Sequence, residues 1–405
     1  MKRVVVTGMG IWSCIGQDLQ TVTESLKQGR SGIIFDPKRM EYGLHSGLVG
    51  NVPHPDLKPL LPRKFRATMS EDAEYAYMAA RQAFEQSGIS EDYLRQHEVG
   101  IIFGNDGNAG EMIAPYMTME QEHDSMMVGP SALFRAETSS VTMNLSAIFH
   151  IKGLNCCIGA ACASSSHAIG IATTFIRVGL QSMILAGGTV ETEMYGTTAT
   201  DAIEAISRQN ADPQHASRPF DKDRDGMVPS GGAAALVLEE YEHAVARGAT
   251  ILAEVVGYGF SSNGIEDISI PSADGEYIAM KRALDDADLQ PSDIDYVNAH
   301  ATSTIAGDIE EAKALTRLFG SKPFVSSTKS MTGHENWMAG ASEAVYSILM
   351  MQNGFVAPNI NLENVIDEAK DLNIVRETLY THINIVLSNS SGMGGTNSAL
   401  IFKKI

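Results

Sequence analysis

The sequence predicts an α/β protein built from two similar halves. Short β-branched runs alternate with longer stretches of helical periodicity, an order that calls for mostly parallel sheets covered on both faces. The stretch ILAEVVGYGFSSNG, from Ile251, also repeats the layout of VVVTGMGIWSCIG, from Val4: a strand, glycines, then small polar residues. At 405 residues the chain exceeds what one core usually serves. We therefore expect an N-terminal half over residues 1–250 and a C-terminal half over 251–405, joined where the charged helix EEYEHAVARGA ends.

The first strand, over 4–6, runs into Thr7, Gly8 and Gly10, so the opening MKRVVVTGMG reads as a buried strand entering a glycine loop, not as a secretory leader. Further strands are expected at 99–103, 183–186 and 234–238 in the first half, and at 251–256, 294–298, 383–387 and 398–402 in the second. Helices at 74–86, 163–178 and 278–287 carry apolar residues three and four apart.

Thirty basic against 49 acidic residues give a formal charge of −19, a surface that repels nucleic acid and anionic membranes. No segment approaches the roughly 18 uninterrupted apolar residues of a membrane span. With four cysteines and no export signal, a reducing cytoplasm is the expected location.

Three of those cysteines fall within NCCIGAACASSSHAIG, residues 155–170. Cys156 and Cys157, between Leu154 and Ile158, read as buried packing, and so does Cys14, because a free cysteine behaves as a small hydrophobe. A zinc site from Cys156, Cys157, Cys162 and His167 is disfavoured: adjacent cysteines do not easily reach one tetrahedral ion, and there is no second CxxC knuckle. No metal is expected. Cys162 differs in context. After it, Ala168, Ile169, Ala172, Phe175 and Ile176 form one helical stripe, which puts Cys162 at a strand-to-helix turn. Free amides and the helix dipole there favour a thiolate. Ala160, Ala161, Ala163 and Ser164 are small enough for the close approach of a nucleophile elbow. On these features alone, a reactive thiolate and plain packing are equally good readings of Cys162.

The second half holds two histidine motifs. VNAHATST ends a strand at His300 and runs into a helix whose start carries Asp308. STKSMTGHENWMAGASE follows another strand, holds Lys329 and His334, and enters a helix containing Glu343. Sites in α/β sheets collect at such carboxyl ends of strands.

Six motifs in order, VVVTGMGI, ACASSSHAI, ASRPFDKDRDGMV, VNAHATST, STKSMTGH and SNSSGMGGTNSAL, resemble those of the β-ketoacyl-acyl-carrier-protein synthases of the thiolase superfamily over essentially the whole chain. DGMVPSGGAAALVLEE and the stretch from GHENWMAG resemble the elongating types, the first and second, more than the initiating type with its Cys-His-Asn site. The resemblance implies the thiolase-like duplicated fold of five layers, α-β-α-β-α. It also implies a decarboxylative Claisen condensation that extends an acyl chain with malonyl carrier protein. Carried over by motif, Cys162 resembles the nucleophile that takes the acyl chain as a thioester. His300 and His334 resemble the pair that hold the malonyl thioester carbonyl and promote loss of carbon dioxide. Lys329, paired with Glu343, resembles the lysine that organises the site electrostatically, with Asp308 in support, and Thr302 and Thr304 match contacts to the phosphopantetheine arm. Met393 and Gly394 belong to the GGTN turn, whose Met393 amide joins that of Cys162 in an oxyanion hole. Burial and the nearby lysine would keep both histidines neutral. No cofactor is implied beyond the phosphopantetheine of the carrier protein. The expected partners are acyl carrier protein, docking on Arg63, Lys64 and Arg66, and a second copy as a homodimer, with a homologous ketosynthase-like subunit as the heterodimeric alternative.

The chain departs from the family's pattern at several points. GFGGTN is GMGGTN here and the preceding aromatic is Ser391, so Met393 is expected to gate a differently shaped tunnel. HGTST has become HATST, and Ala301 would strain the turn if the glycine needed a positive φ. ENWMAG places Trp337 near the site, and the methionine-rich segment 111–127 is expected to help line the tunnel and the dimer interface. These departures favour an unusual acyl group, such as an aryl or polyene chain. The docking segment EQEHDSMM is not basic. A cysteine hydrolase using Cys162 and His300 would leave His334 and Lys329 unexplained, and a non-catalytic chain-length subunit would lack the nucleophile. A degradative thiolase would need a second cysteine near the GGTN end, where there is none.

Overall fold

The computed structural model describes residues 1–405. Apart from two small two-stranded sheets, its strands are β1 (Val4–Trp12), β2 (Gly100–Gly104), β3 (Asn155–Ile158), β4 (Met183–Val190), β5 (Gly232–Glu240), β6 (Ala253–Ser262), β7 (Tyr296–Asn298), β8 (Phe324–Ser326), β9 (Asn373–Ile374), β10 (Ile385–Gly392) and β11 (Thr396–Lys403). They form one sheet in the order β9-β8-β7-β10-β11-β6-β1-β5-β4-β2-β3. The seam is narrow, for β1 meets β6 only at Val5–Glu254 and Val6–Ala253.

On either side of that seam the strand order repeats. In the first half β3, β2 and β4 run parallel, then β5 and β1 are antiparallel. In the second, β8, β7 and β10 run parallel, then β11 and β6 are antiparallel. The expectation of mostly parallel sheets is therefore corrected to an even mixture of parallel and antiparallel pairings. The reason is physical: a strand covered on both faces reads as a continuous apolar run whichever way its neighbours point. β5 is buried at every residue.

Helices fill the layers. Outermost on the first half lies α1 (Glu71–Ser87), packed on β1 and β5, with Ser70 capping its start and Gly88 in left-handed conformation at its end. Between the two half-sheets lie α2 (Ser164–Arg177) and α3 (Ala339–Asn353), packed on each other, and all but the last two residues of α3 are buried. On the far side, α4 (Ala273–Asp286) covers β6 and β11 and packs on α5 (Ile305–Phe319). The five layers are thus α, β, α, β, α, the thiolase-like arrangement. No helix is long and apolar enough to cross a membrane.

Cys156 and Cys157 are not fully buried as expected. They sit partly buried on β3, the free edge of the sheet, with Cys156 packed against the main apolar core. Cys14 is also only partly buried, with its thiol 3.3 Å from the carbonyl of Thr332.

Candidate active site

Cys162 stands in a single 3-10 turn, Ala161–Ala163, between β3 and α2. The turn is held by its own small residues. Ala161 takes a left-handed φ of 48°, its amide donates to Asp106 Oδ2 at 2.7 Å, and Ser164 Oγ accepts from the Ala160 amide at 2.8 Å. An alanine in that conformation stores roughly 1–2 kcal/mol, which these bonds offset. The elbow's strain thus falls on the residue before the nucleophile.

The two histidines arrive from the other half-sheet. His300 follows β7; its amide and that of Ala301 both donate to the Glu311 carboxylate, at 2.7 and 2.5 Å. Asn389 Nδ2 donates to the same carboxylate at 2.8 Å. His334 follows β8 and a single turn, its backbone fixed by Val228 and Ser230 at 2.7 and 3.0 Å. The Nε2 of His334 lies 3.0 Å from Cys162 Sγ, and the two imidazoles meet edge to face at a centroid distance of 5.2 Å. The donor atoms of Cys162, His300 and His334 all fall within 4.8 Å of one another, closely enough to hold a metal ion as well as a substrate. Cys156 and Cys157 take no part in this cluster, and His167 instead bridges Tyr258 and Thr396.

Lys329, 1% exposed, donates from Nζ to the Glu343 carboxylate beneath these groups. Its charge favours a Cys162 thiolate and opposes protonation of either histidine. For the histidines burial acts in the same direction and is the larger cause, so both are held well below the usual imidazole range and are neutral near pH 7. For Cys162 burial acts the other way. It pushes the thiol up to about 11, against the opposing pull of the Met393 and Cys162 amides and of Lys329. The expectation of a resting thiolate is corrected: the helix start is outweighed by desolvation, so the resting sulfur keeps its proton, 3.0 Å from a neutral imidazole able to take it.

A cavity of about 240 Å³ opens onto Cys162, His300 and His334. Thr302 and Thr304 line it with their hydroxyls 3.0 Å apart, and Met393 and Gly394 form its rim at the β10–β11 turn. Gly394 and Gly395 have φ of 86° and 84°, a conformation only glycine adopts freely, which explains the double glycine. The Met393 side chain is 59% exposed.

Other expectations shift. Asp308 lies outside the cavity lining: its carboxylate accepts from the Phe220 and Ser303 amides at 2.8 and 3.1 Å and pairs with Arg224 at 3.4 Å. It braces the loop after His300. Ala301 is unstrained, because the positive φ of that loop, 70°, falls on Ser303. No residue of 111–127 lines the catalytic cavity; they form an exposed helix, Ala109–Glu122, and a turn, Ser125–Val128. Trp337 lies in a turn packed on the Cys162 turn, its ring against Gly107 rather than in the cavity. Arg63 and Lys64 are exposed on a short helix, whereas Arg66 is partly buried and donates to the Leu61 carbonyl.

The sequence reading missed Glu311, which locks the His300 backbone. Its signal was a carboxylate three residues after Asp308 on the stripe that buries Ala312 and Leu315. Glu335 was missed too; it accepts from Ser342 and Tyr346, and burial raises it to about 7.

A nucleophile elbow facing two neutral imidazoles and a buried lysine, across a duplicated five-layered fold, is the constellation of an acyltransferase. The family model for the β-ketoacyl synthase N-terminal domain matches residues 1–244, and that for the C-terminal domain matches 252–363. The chain belongs to the β-ketoacyl synthase family. It is 42% identical to 3-oxoacyl-[acyl-carrier-protein] synthase 1 of Haemophilus influenzae over 410 residues, covering 100% of this chain and 99% of that one. Against the synthase of the same description from Escherichia coli K12 it is 42% identical over 409 residues, covering 100% of both. A β-ketoacyl synthase crystal structure from Burkholderia phymatum superposes with a TM-score of 0.95 at 36% identity, with 100% of each chain covered.

Proposed function

We propose that this enzyme condenses an acyl group, held on Cys162, with malonyl carrier protein to give a 3-oxoacyl carrier protein two carbons longer. The observation that carries the reading is the convergence of Cys162 Sγ with two buried histidines within 4.8 Å.

His334 Nε2, at 3.0 Å, takes the Cys162 proton as the sulfur attacks the acyl thioester. That proton passes to the leaving carrier thiol. Covalent capture divides a hard condensation into two easier steps. The malonyl group then enters, its bond to the carboxylate breaks, and carbon dioxide leaves. The electron pair left behind forms an enolate whose oxygen is met by N–H groups of His300 and His334. The carbanion attacks the acyl carbonyl, whose oxygen points to the Cys162 and Met393 amides. Cys162 leaves and regains a proton from solvent. Neutral imidazoles suit this step, since each donates without carrying a charge that would hold the malonyl carboxylate in place.

Acyl carrier protein would dock on the exposed Arg63 and Lys64, with Arg66 partly committed to its own loop. A second copy would cover the open edge of β3 and the exposed Tyr116, Met126 and Leu133, which are 71%, 83% and 64% accessible. A homologous subunit could take the same place. Light scattering on the purified chain should give a dimer, and a monomer would contradict this assignment. We place the boundary between the two functional halves at residue 250, and the enzyme in the cytoplasm.

The test supplies acyl and malonyl carrier proteins together. One carbon dioxide per 3-oxoacyl product supports the reading. Release of free acyl acid without carbon dioxide would favour a cysteine hydrolase instead.

A further inference from the structure

Glu276, in the first turn of α4, is 3% exposed, yet its Oε2 has no hydrogen-bond partner. The Oγ of Ser391, on β10, is likewise buried; it faces the Glu276 carboxyl but has no partner at hydrogen-bond distance. Both residues line the cavity that holds Cys162, His300 and His334.

The backbone that carries this carboxyl is anchored at the start of α4. Ser272 caps it through the Gly275 amide at 3.3 Å, and Ser261 Oγ donates to the Gly275 carbonyl at 2.5 Å. A Cβ on Gly275 would stand 2.2 Å from Asn263 Oδ1, so the helix start is seated as closely as glycine permits. Burial, and then the charge of Glu311, push the Glu276 carboxyl well above its ordinary range, while the facing Ser391 hydroxyl pulls it back. The cavity lining combines apolar Met227, Ile268 and Ile270 with polar Asn263, Ser272 and Asn397.

We propose that Glu276 and Ser391 form a polar subsite in the cavity wall that recognises an oxygen substituent, hydroxyl or carbonyl, on the acyl thioester. This rests on the condensing reading of the site. An oxygen substituent supplies the partner that Glu276 Oε2 lacks and exchanges a second bond with the Ser391 hydroxyl, whereas a plain alkyl chain supplies neither.

The test compares butanoyl and 3-hydroxybutanoyl carrier proteins as acyl donors and reads the ratio of their kcat/KM values for elongation. Glu276→Leu and Ser391→Ala should each lower the hydroxyl-to-alkyl ratio by about tenfold, the size of one hydrogen bond. Glu276→Gln, which keeps the size and polarity of the side chain, should hold the ratio within about threefold. It also keeps the test open if Glu276→Leu fails to fold. An unchanged ratio in both Glu276→Leu and Ser391→Ala, including equal loss on both donors, would overturn the subsite. Failure of the unaltered enzyme to elongate either donor would contradict the condensing reading itself.

Discussion

At Cys162 two opposing forces can be ranked. Desolvation raises the thiol to about 11, while two amides and Lys329 lower it without prevailing. Alkylation by iodoacetamide should therefore rise about tenfold per pH unit from 7 to 9, as expected for a thiol still mostly protonated. A plateau reached by pH 8 would show a resting thiolate instead. The histidines divide by geometry. His334 touches the sulfur and His300 does not share that contact, so His334→Ala should slow both acylation and decarboxylation, and His300→Ala decarboxylation alone. Each lost donor should reduce the decarboxylation rate about 10²–10³-fold, measured as carbon dioxide released in a single turnover. Equal effects of both substitutions on acylation would refute the division. The candidate residues themselves were legible from the sequence, since small residues before a helix and histidines after strands are local patterns. The protonation of Cys162 was not, because burial by the opposite half of the chain has no local signature.

At the scale of elements, the site depends on how closely α2 starts against β2. A Cβ on Gly104 would lie 2.3 Å from the Ser165 amide nitrogen and 2.5 Å from the Ser164 carbonyl carbon, both backbone atoms of the first turn of α2. Gly104→Ala should cost roughly 1–3 kcal/mol through this overpacking, read as a lower melting temperature together with slower acylation. An unchanged melting temperature would mean that α2 is not seated by this contact. The positions of the long strands and helices were legible because apolar period and caps are short-range signals, as at Ser70 and Gly88. Strand direction was not, for β5 and β10 carry the same kind of apolar run although one pairs antiparallel on both sides and the other on only one. The three-residue strand β8 and the turn that delivers Lys329 carry too few residues to show a period.

For the whole molecule, the central layer couples chemistry to stability. Glu335 and Asp308 are each raised to about 7 by burial, so between their unfolded and folded values the folded chain holds protons that the unfolded chain has lost. Stability must then fall as pH rises through that window. The buried histidines act in the opposite sense, but only below about 7.5, where an unfolded imidazole begins to take up a proton. From pH 7.5 to 8.5 the histidines are neutral in both states, and the Glu343 carboxyl, raised to about 8, and the Cys162 thiol carry the decrease. Thermal melts should therefore show the melting temperature decreasing across this range, and an increase would mean these carboxyls are already ionised. The duplication was legible in outline from the repeated strand-glycine openings. That both halves contribute to one cluster was legible only through the resemblance of their motifs, because Cys162 and His334 are 172 residues apart and no local pattern joins them.

The most direct measurement is the intact mass of the protein after incubation with acyl carrier protein, followed by peptide mapping and a chase with malonyl carrier protein. The account predicts one acyl group on Cys162, discharged by the chase in the unaltered enzyme and retained in His300→Ala. No added mass, or an acyl group on any other residue, would contradict it.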